Sequence, residues 1–282
     1  MTEQPPTLEI SDLRLALRHP PHTELVRGVD LTVAPGEKVA LVGESGSGKS
    51  VLSLATMGLL PPAIGISSGE LRVTGTSVVN VREEELDRLR GAAMAMIYQD
   101  PMSSLNPVRT VGRQIAEVIR THRDVSAAQA RRRAIDLLGA VGVRDPQRTV
   151  DNYPHEFSGG MRQRVMIAMA IACEPALLLA DEPTTALDVT TQARIVELLA
   201  SLVAEHGMSI VFITHDIALA ASFCDRVEVM QSGTIIESGP TDAVTGSPQH
   251  EYTQKLVGSI CTFDMDPDMP LLAGSAGSPG GA

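Results

Sequence analysis

The run Gly43-Glu44-Ser45-Gly46-Ser47-Gly48-Lys49-Ser50 sets glycines, a lysine and a hydroxyl between a short apolar segment, Lys38 to Val42, and a stretch of helix-forming residues. Glycine lets consecutive backbone N–H groups turn inward on an anion, and a following helix adds the partial positive charge of its N-terminus. Lys49 then supplies a point charge for the β and γ phosphates of a nucleotide, and the Ser50 hydroxyl supplies a ligand for Mg²⁺. The spacing fits G-x-x-x-x-G-K-[ST] in the strand–loop–helix context that this pattern requires. Leu177-Leu178-Leu179-Ala180-Asp181-Glu182 is an apolar run ending in paired carboxylates. The first suits a Mg²⁺-bound water, and the second suits orienting or deprotonating an attacking water. Alone, Asp-Glu ahead of Pro183 also fits a solvated strand end. A further glycine-rich helix start, Phe157-Ser158-Gly159-Gly160-Met161-Arg162-Gln163-Arg164, offers a hydroxyl, unhindered N–H groups and a dipole end. That makes another anion cradle, although by residue type it is equally an N-cap and a turn. Gln99 and His215 each close an apolar run. The amide can coordinate Mg²⁺ or water, and the imidazole can stabilise charge developing on a γ-phosphate. A polar strand end and a structural histidine are the plainer readings of the same residues.

The elements that must position these groups follow from the apolar pattern. Residues 7–17 and 24–34 read as short strands that end in the turn Ala34-Pro35-Gly36-Glu37. Lys38 to Val42 is a compact strand leading into the glycine loop, and Lys49 to Leu60 reads as the helix behind it. Leu71 to Val73 and Met94 to Tyr98 are further strands. From about 106 to 150 the character is helical, with Ser126 as N-cap of a helix over Ala127 to Val141. Arg131, Arg132 and Arg133 read as its solvated face. After Ser158 come helix 159–173, strand 176–180, helix 190–205, strand 209–213, helix 216–223 and strand 226–230. A hairpin turning at Ser232-Gly233 follows. Such alternation predicts a largely parallel sheet covered on both faces. The stretch 106–150 interrupts it as an inserted helical subdomain, and the small-residue tail from Ala273 reads as flexible.

Composition narrows the function classes. The chain has 282 residues, 43% apolar and 20% charged, enough for a core that needs no disulfide or metal staple. With a net charge of −11, no Trp, 3 Tyr and 4 Phe, it lacks the basic groove and stacking rings of a single-strand binder. No nucleic-acid partner is expected. Cys173, Cys224 and Cys261 are far apart and form no C-x-x-C, which points to a reducing compartment and away from a zinc or disulfide framework. The start, Met-Thr-Glu-Gln-Pro-Pro, has neither the basic n-region nor the apolar h-region of a signal peptide. The longest apolar run, Val165 to Cys173, ends at Glu174-Pro175, well short of a membrane span. Any link to a membrane is therefore expected to run through partners.

Taken in order, the phosphate loop, Gln99, Ser158-Gly159-Gly160, Asp181-Glu182, Ala186-Leu187-Asp188 and His215 resemble an ATP-binding-cassette (ABC) ATPase over about residues 8–245. The resemblance implies an α/β fold: a P-loop NTPase (RecA-like) core with an N-terminal antiparallel β subdomain and an inserted α-helical subdomain, about 106–165. Residues 246–282 are then a C-terminal helix and flexible tail. It also implies a head-to-tail dimer with two ATPs, each between the phosphate loop of one subunit and the signature segment of the other. On that reading Lys49, Ser50, Gln99, Asp181, Glu182 and His215 serve one nucleotide. Ser158, Gly159 and Gly160 serve the partner's, and Asp188 sits at the dimer contact.

Tyr153 to Ala170, Gly43 to Ser50, Tyr98 to Pro107 and Asp181 to Asp188 resemble the peptide/nickel importer ATPases closely. This implies a bacterial oligopeptide, dipeptide or nickel uptake system. Its partners would be a second, often non-identical ABC ATPase, a pair of membrane permeases and, indirectly, an external binding protein. The chain would sit peripherally on the cytoplasmic face of the cell membrane. Departures from the family pattern are Leu17, with His19 and His22 nearby, where cassettes usually stack adenine on an aromatic, and the presence of Cys261 alone where many peptide importers carry an iron–sulfur-like cysteine cluster. No cluster is expected. An exporter ATPase remains the closest alternative. A small-molecule P-loop kinase would explain residues 43–50 but not the signature segment or His215.

Overall fold

The computed structural model describes residues 5–185 and 187–258. Its strands, in chain order, are β1 (Leu8–Leu17), β2 (Glu24–Val33), β3 (Lys38–Val42), β4 (Ile64–Val73), β5 (Thr76–Ser77), β6 (Met94–Ile97), β7 (Leu177–Asp181), β8 (Ser209–Thr214), β9 (Arg226–Gln231) and β10 (Thr234–Pro240). The helices are α1 (Lys49–Thr56), α2 (Glu83–Leu89), α3 (Pro101–Ser104), α4 (Val111–His122), α5 (Ala127–Ala140), α6 (Pro146–Thr149), α7 (Gly159–Ala170), α8 (Val189–His206), α9 (Ile217–Ala221), α10 (Thr241–Gly246) and α11 (Glu251–Gly258).

The strands sort into two sheets by their side-chain pattern. β1 alternates buried Leu8, Ile10, Leu13 and Leu15 with exposed neighbours, the mark of a sheet with one wet face. The alternation slips at Ser11-Asp12, where the register shifts and Asp12 takes φ +41°; this is a β-bulge that restores Leu13 to the buried side. The resulting antiparallel sheet has the order β2-β1-β4-β5. β3, β7 and β8 are instead buried almost throughout, as strands covered on both faces must be. They lie in a sheet of order β10-β9-β3-β8-β7-β6, parallel except for the edge strand β10.

Successive residues of the parallel strands feed different cores, because strand side chains alternate between faces. Ala40, Val42, Leu178, Ala180, Ile210 and Phe212 pack with α4, α5, α7 and α8. Val39, Leu41, Leu177, Leu179, Val211 and Ile213 pack with α1 and the antiparallel sheet. A polar cluster joins the two sheets: Arg226 on β9 donates to Glu37 (2.7 Å), to the Thr32 carbonyl and to the buried Glu228.

Ser126 caps α5 as expected, through a capping box in which the Ser126 N–H and hydroxyl both reach the Gln129 side chain. Other expectations need correction. The strand expected at Leu71 to Val73 begins seven residues earlier, at Ile64, because pairing with β1 extends through the polar Ser67-Ser68-Gly69 stretch. The helix expected to reach Leu60 stops at Thr56, since Gly58 adopts φ +66° ahead of Pro61-Pro62. The helix expected over 159–173 ends at Ala170, where the chain turns through Glu174 at φ +54°. The arginine face of α5 is exposed but engaged: Arg131 forms a bidentate pair with Asp151 (2.7 and 2.7 Å), and Arg133 meets Glu174 at 2.6 Å. Cys261 and the tail from Ala273 lie outside the described residues.

Candidate nucleotide site

The parallel register decides what meets at the carboxyl edge of the sheet. Val42 pairs with Thr214, Asp181 with Ile213 and Ala180 with Ile97. The residues that follow these strands therefore emerge side by side: the loop from Gly43, then His215, then Glu182, then Gln99. A crevice beyond strand carboxyl ends is where open α/β sheets bind ligands. Here a cavity of about 490 Å³ is lined by Ser45, Gly46, Gly48, Lys49, Ser50, Gln99 and Glu182, with Glu24, Leu25, Arg27, Val51 and Ser232 completing its wall.

The loop 43–48 owes its path to glycine at particular places. A Cβ on Gly43 would fall 2.1 Å from the Met230 carbonyl oxygen, and Gly48 turns into α1 at φ +109° with Met230 Cε where a Cβ would stand. The hairpin turn at Ser232-Gly233 braces the loop, with Gly233 N–H donating to the Ser47 carbonyl at 2.9 Å. Lys49 lies folded under the loop and almost wholly buried. Its ammonium donates to the carbonyls of Gly43 (2.6 Å) and Glu44 (2.8 Å) and to Ser47 Oγ at 3.3 Å. Burial pushes the Lys49 ammonium below its ordinary pKa, against the pull of Glu182, Asp181 and Glu44.

Ser50 Oγ donates to Asp181 Oδ1 at 3.1 Å. Burial raises the Asp181 carboxyl above its ordinary range, while Ser50 and Lys49 oppose the shift and Glu182 adds to it. A carboxylate and a hydroxyl converging beside a phosphate cradle are hard oxygen donors of the kind Mg²⁺ takes with few protein ligands.

Glu182 has φ +45°, a left-handed backbone that a side-chain-bearing residue adopts at a cost of about 1–3 kcal/mol. Its N–H continues the sheet by donating to the Ile213 carbonyl at 2.9 Å. Gln99 Nε2 at 3.0 Å and Thr185 Oγ1 at 2.7 Å both donate to Oε2. His215 Nδ1 stands 3.5 Å from Oε1. The carboxylate side chain is 12% exposed and the imidazole 57%, so the acid is held while the histidine remains accessible.

The remaining expected residues gather elsewhere. Ser158 caps α7, accepting from Met161 N–H at 3.4 Å. Asp188 caps α8, accepting from Thr191 N–H at 3.0 Å, and these bonds hold its carboxyl below the ordinary range. The two helix starts are neighbours: a Cβ on Gly160 would lie 3.0 Å from Thr191 Cγ2, and one on Gly159 would lie 4.0 Å from Leu187. Ser158, Gly159, Gly160 and Asp188 are absent from the lining of the cavity, as are Gly43, Glu44, Ser47, Asp181 and His215. Leu17 is absent from it too and lines a separate crevice with Arg18, His22 and Gly65, where His22 Nδ1 is 3.2 Å from the Leu17 carbonyl. Sequence reasoning passed over Thr185, whose position three residues after Glu182 was the available signal. It also passed over Tyr252, whose hydroxyl accepts from the Glu44 N–H at 2.8 Å and which no local pattern marks.

Comparison with known proteins gives the family. Residues 26–185 match the family model described as ABC transporter. The chain is 48% identical over 260 residues to the peptidoglycan transport ATP-binding protein YejF of Agrobacterium fabrum, covering 92% of this chain and 48% of that protein, so it spans about half of that relative. It is 47% identical over 268 residues to the oligopeptide transport ATP-binding protein OppD of Bacillus subtilis, covering 94% of this chain and 75% of the relative. Among solved structures, the dimeric post-hydrolysis state of the ATP-binding cassette MJ0796 bound to ADP and Pi superposes with a TM-score of 0.74 at 27% identity, covering 83% of this chain and 98% of that one.

Proposed function

The chain belongs to the ABC transporter family, and on that premise we propose that it is the ATP-hydrolysing subunit of a bacterial importer of peptides or a related small solute such as nickel chelates. The observation that carries the reading is Glu182, held by Gln99, Thr185 and His215 at the mouth of the loop that contains Lys49. A carboxylate so placed orients and deprotonates a water attacking the γ-phosphate. Lys49 and the backbone N–H groups of residues 46–50 hold the phosphates, and His215 supports the charge that develops on the γ-phosphate oxygens. Ser50, Asp181 and Gln99 would hold Mg²⁺, which would supply neutralisation of the negative charge on the phosphates.

We assign Ser158, Gly159 and Gly160 to a nucleotide held by a second ABC ATPase and Asp188 to the contact between the two; the neighbouring starts of α7 and α8 support grouping them. We read residues 1–245 as the ATPase domain with a helical subdomain at about 106–165. No described helix is long and apolar enough to cross a membrane. The importer reading assigns the protein a peripheral place on the cytoplasmic face, beneath membrane permeases fed by an external binding protein. Purification from native membranes tests the proposal. Permease subunits should accompany the chain, and ATP turnover should rise with a peptide- or nickel-chelate-loaded external protein. A complex with a permease whose turnover answers only to a solute on the cytoplasmic side would favour an exporter instead.

A further inference from the structure

The last described helix reaches the phosphate loop. Its start is fixed by Glu237 on β10, which accepts from the N–H groups of Gln249 (2.7 Å) and His250 (3.0 Å). Tyr252 N–H then donates to His250 Nδ1 at 3.1 Å. This sets Tyr252 into the core, 8% exposed, with Leu256 and Val257 packed against the same core. From there its hydroxyl accepts the Glu44 N–H at 2.8 Å.

Glu44 is thereby held from both sides. Its carbonyl receives Lys49 Nζ at 2.8 Å and Ser47 N–H at 3.2 Å, and its N–H is taken by Tyr252. The preceding residue, Gly43, is wedged against Met230. The N–H of Glu44 is thus committed to α11 rather than offered to a phosphate, and the carbonyl on which Lys49 rests is located by it. The same helix packs against α9, which begins two residues after His215. α11 therefore touches the structures that carry both the phosphate-binding lysine and the exposed histidine.

We propose that Tyr252 is a positioning residue for the ATP reaction, fixing residue 44 and with it the path of the phosphate loop and the placement of Lys49. The proposal rests on the reading of residues 43–50 as that loop. Without the hydroxyl, the Glu44 N–H loses its acceptor in a part-buried position, and the loop must rearrange to find another. Part of the nucleotide's binding free energy is then spent on restoring the loop's order. The hydrogen bonds that hold Glu182 come from Gln99 and Thr185 and do not involve Tyr252, so affinity should fall while the chemical step is kept.

The test is Tyr252→Phe in the full chain, assembled with its partners, beside a Lys49→Ala control. The phenylalanine keeps the packed ring and deletes only the oxygen. A net hydrogen bond of ordinary strength corresponds to an increase of about 2- to 12-fold in KM for ATP and in Kd for ADP. The rate constant kcat should stay within about twofold. Titration reads the Kd of folded molecules whatever their number, so partial unfolding does not imitate the effect. Unchanged KM and Kd, or a fall in kcat as large as the fall in affinity, would overturn the role of Tyr252. If Lys49→Ala also binds nucleotide normally, the phosphate-loop reading itself fails. If that control loses binding and Tyr252→Phe does not, only the inference about Tyr252 fails.

Discussion

Replacing Glu182 by glutamine isolates the chemistry of the carboxylate from its position. Oε2 accepts from Gln99 at 3.0 Å and Thr185 at 2.7 Å, and a single amide oxygen can accept both. The amide NH₂ then takes the place of Oε1, 3.5 Å from His215 Nδ1, where a neutral imidazole can accept it. No buried donor is orphaned, so the loss of stability should stay below about 1 kcal/mol. What disappears is one negative charge and the ability to take a proton. General-base catalysis contributes about 10²–10⁴-fold, which is a barrier increase of about 2.7–5.4 kcal/mol. Nucleotide affinity should move the other way. Glu182 is a negative neighbour of Lys49, and its repulsion of a polyanionic phosphate chain is removed.

The assay is therefore single-turnover hydrolysis in the assembled complex, read together with nucleotide occupancy at the site built on this chain. Trapped ATP, a longer-lived dimer and a rate loss within that range are the expected results. Near-normal hydrolysis at this site without ATP accumulation would refute the reasoning and return Glu182 to the status of a strand end with unusual hydrogen bonds.

Other perturbations probe different parts of the molecule. Ser158→Arg should leave ATP binding to this chain's own loop unchanged, since Ser158 is not in the cavity lining, while abolishing turnover at the partner's nucleotide; equal loss of both would show that the segment acts within one chain. Glu228→Ala should destabilise the fold by about 1–3 kcal/mol in chemical denaturation. It leaves Arg226 with Glu37 but without its buried carboxylate, and strips Ser238 Oγ of the acceptor it meets at 2.9 Å. A change within 0.5 kcal/mol, as is usual for surface positions, would mean that the cluster joining the sheets contributes little.

Much of the site was legible because its chemistry is local in sequence. Gly43 to Ser50 needs its glycines, lysine and hydroxyl within one turn, and Asp181-Glu182 needs only a strand to end there. The parallel strands were legible because burial on both faces leaves continuous apolar runs such as Leu177 to Ala180. What escaped depends on contacts between distant segments. β4 runs through Ser67-Ser68-Gly69 because β1 supplies its hydrogen bonds, and nothing in those residues favours a strand. Asp151 and Glu174 take up Arg131 and Arg133 across 20 and 41 residues, so the solvated face of α5 is also a set of ties. Tyr252 acts on a loop 208 residues away.

The segment between β7 and α8 gives the separation of the anion cradles a physical connection. Within seven residues it carries Glu182, then Thr185 bonded to that carboxylate at 2.7 Å, then Leu187 beside Gly159, then the Asp188 cap of α8. Thr191, one turn into α8, lies against Gly160. The α7 start therefore lies next to the same segment that bonds to the Glu182 carboxylate. The backbone at Glu182 is already in a left-handed conformation, φ +45°, so a small movement of Thr185 changes either the hydrogen bond to Oε2 or the strain at residue 182.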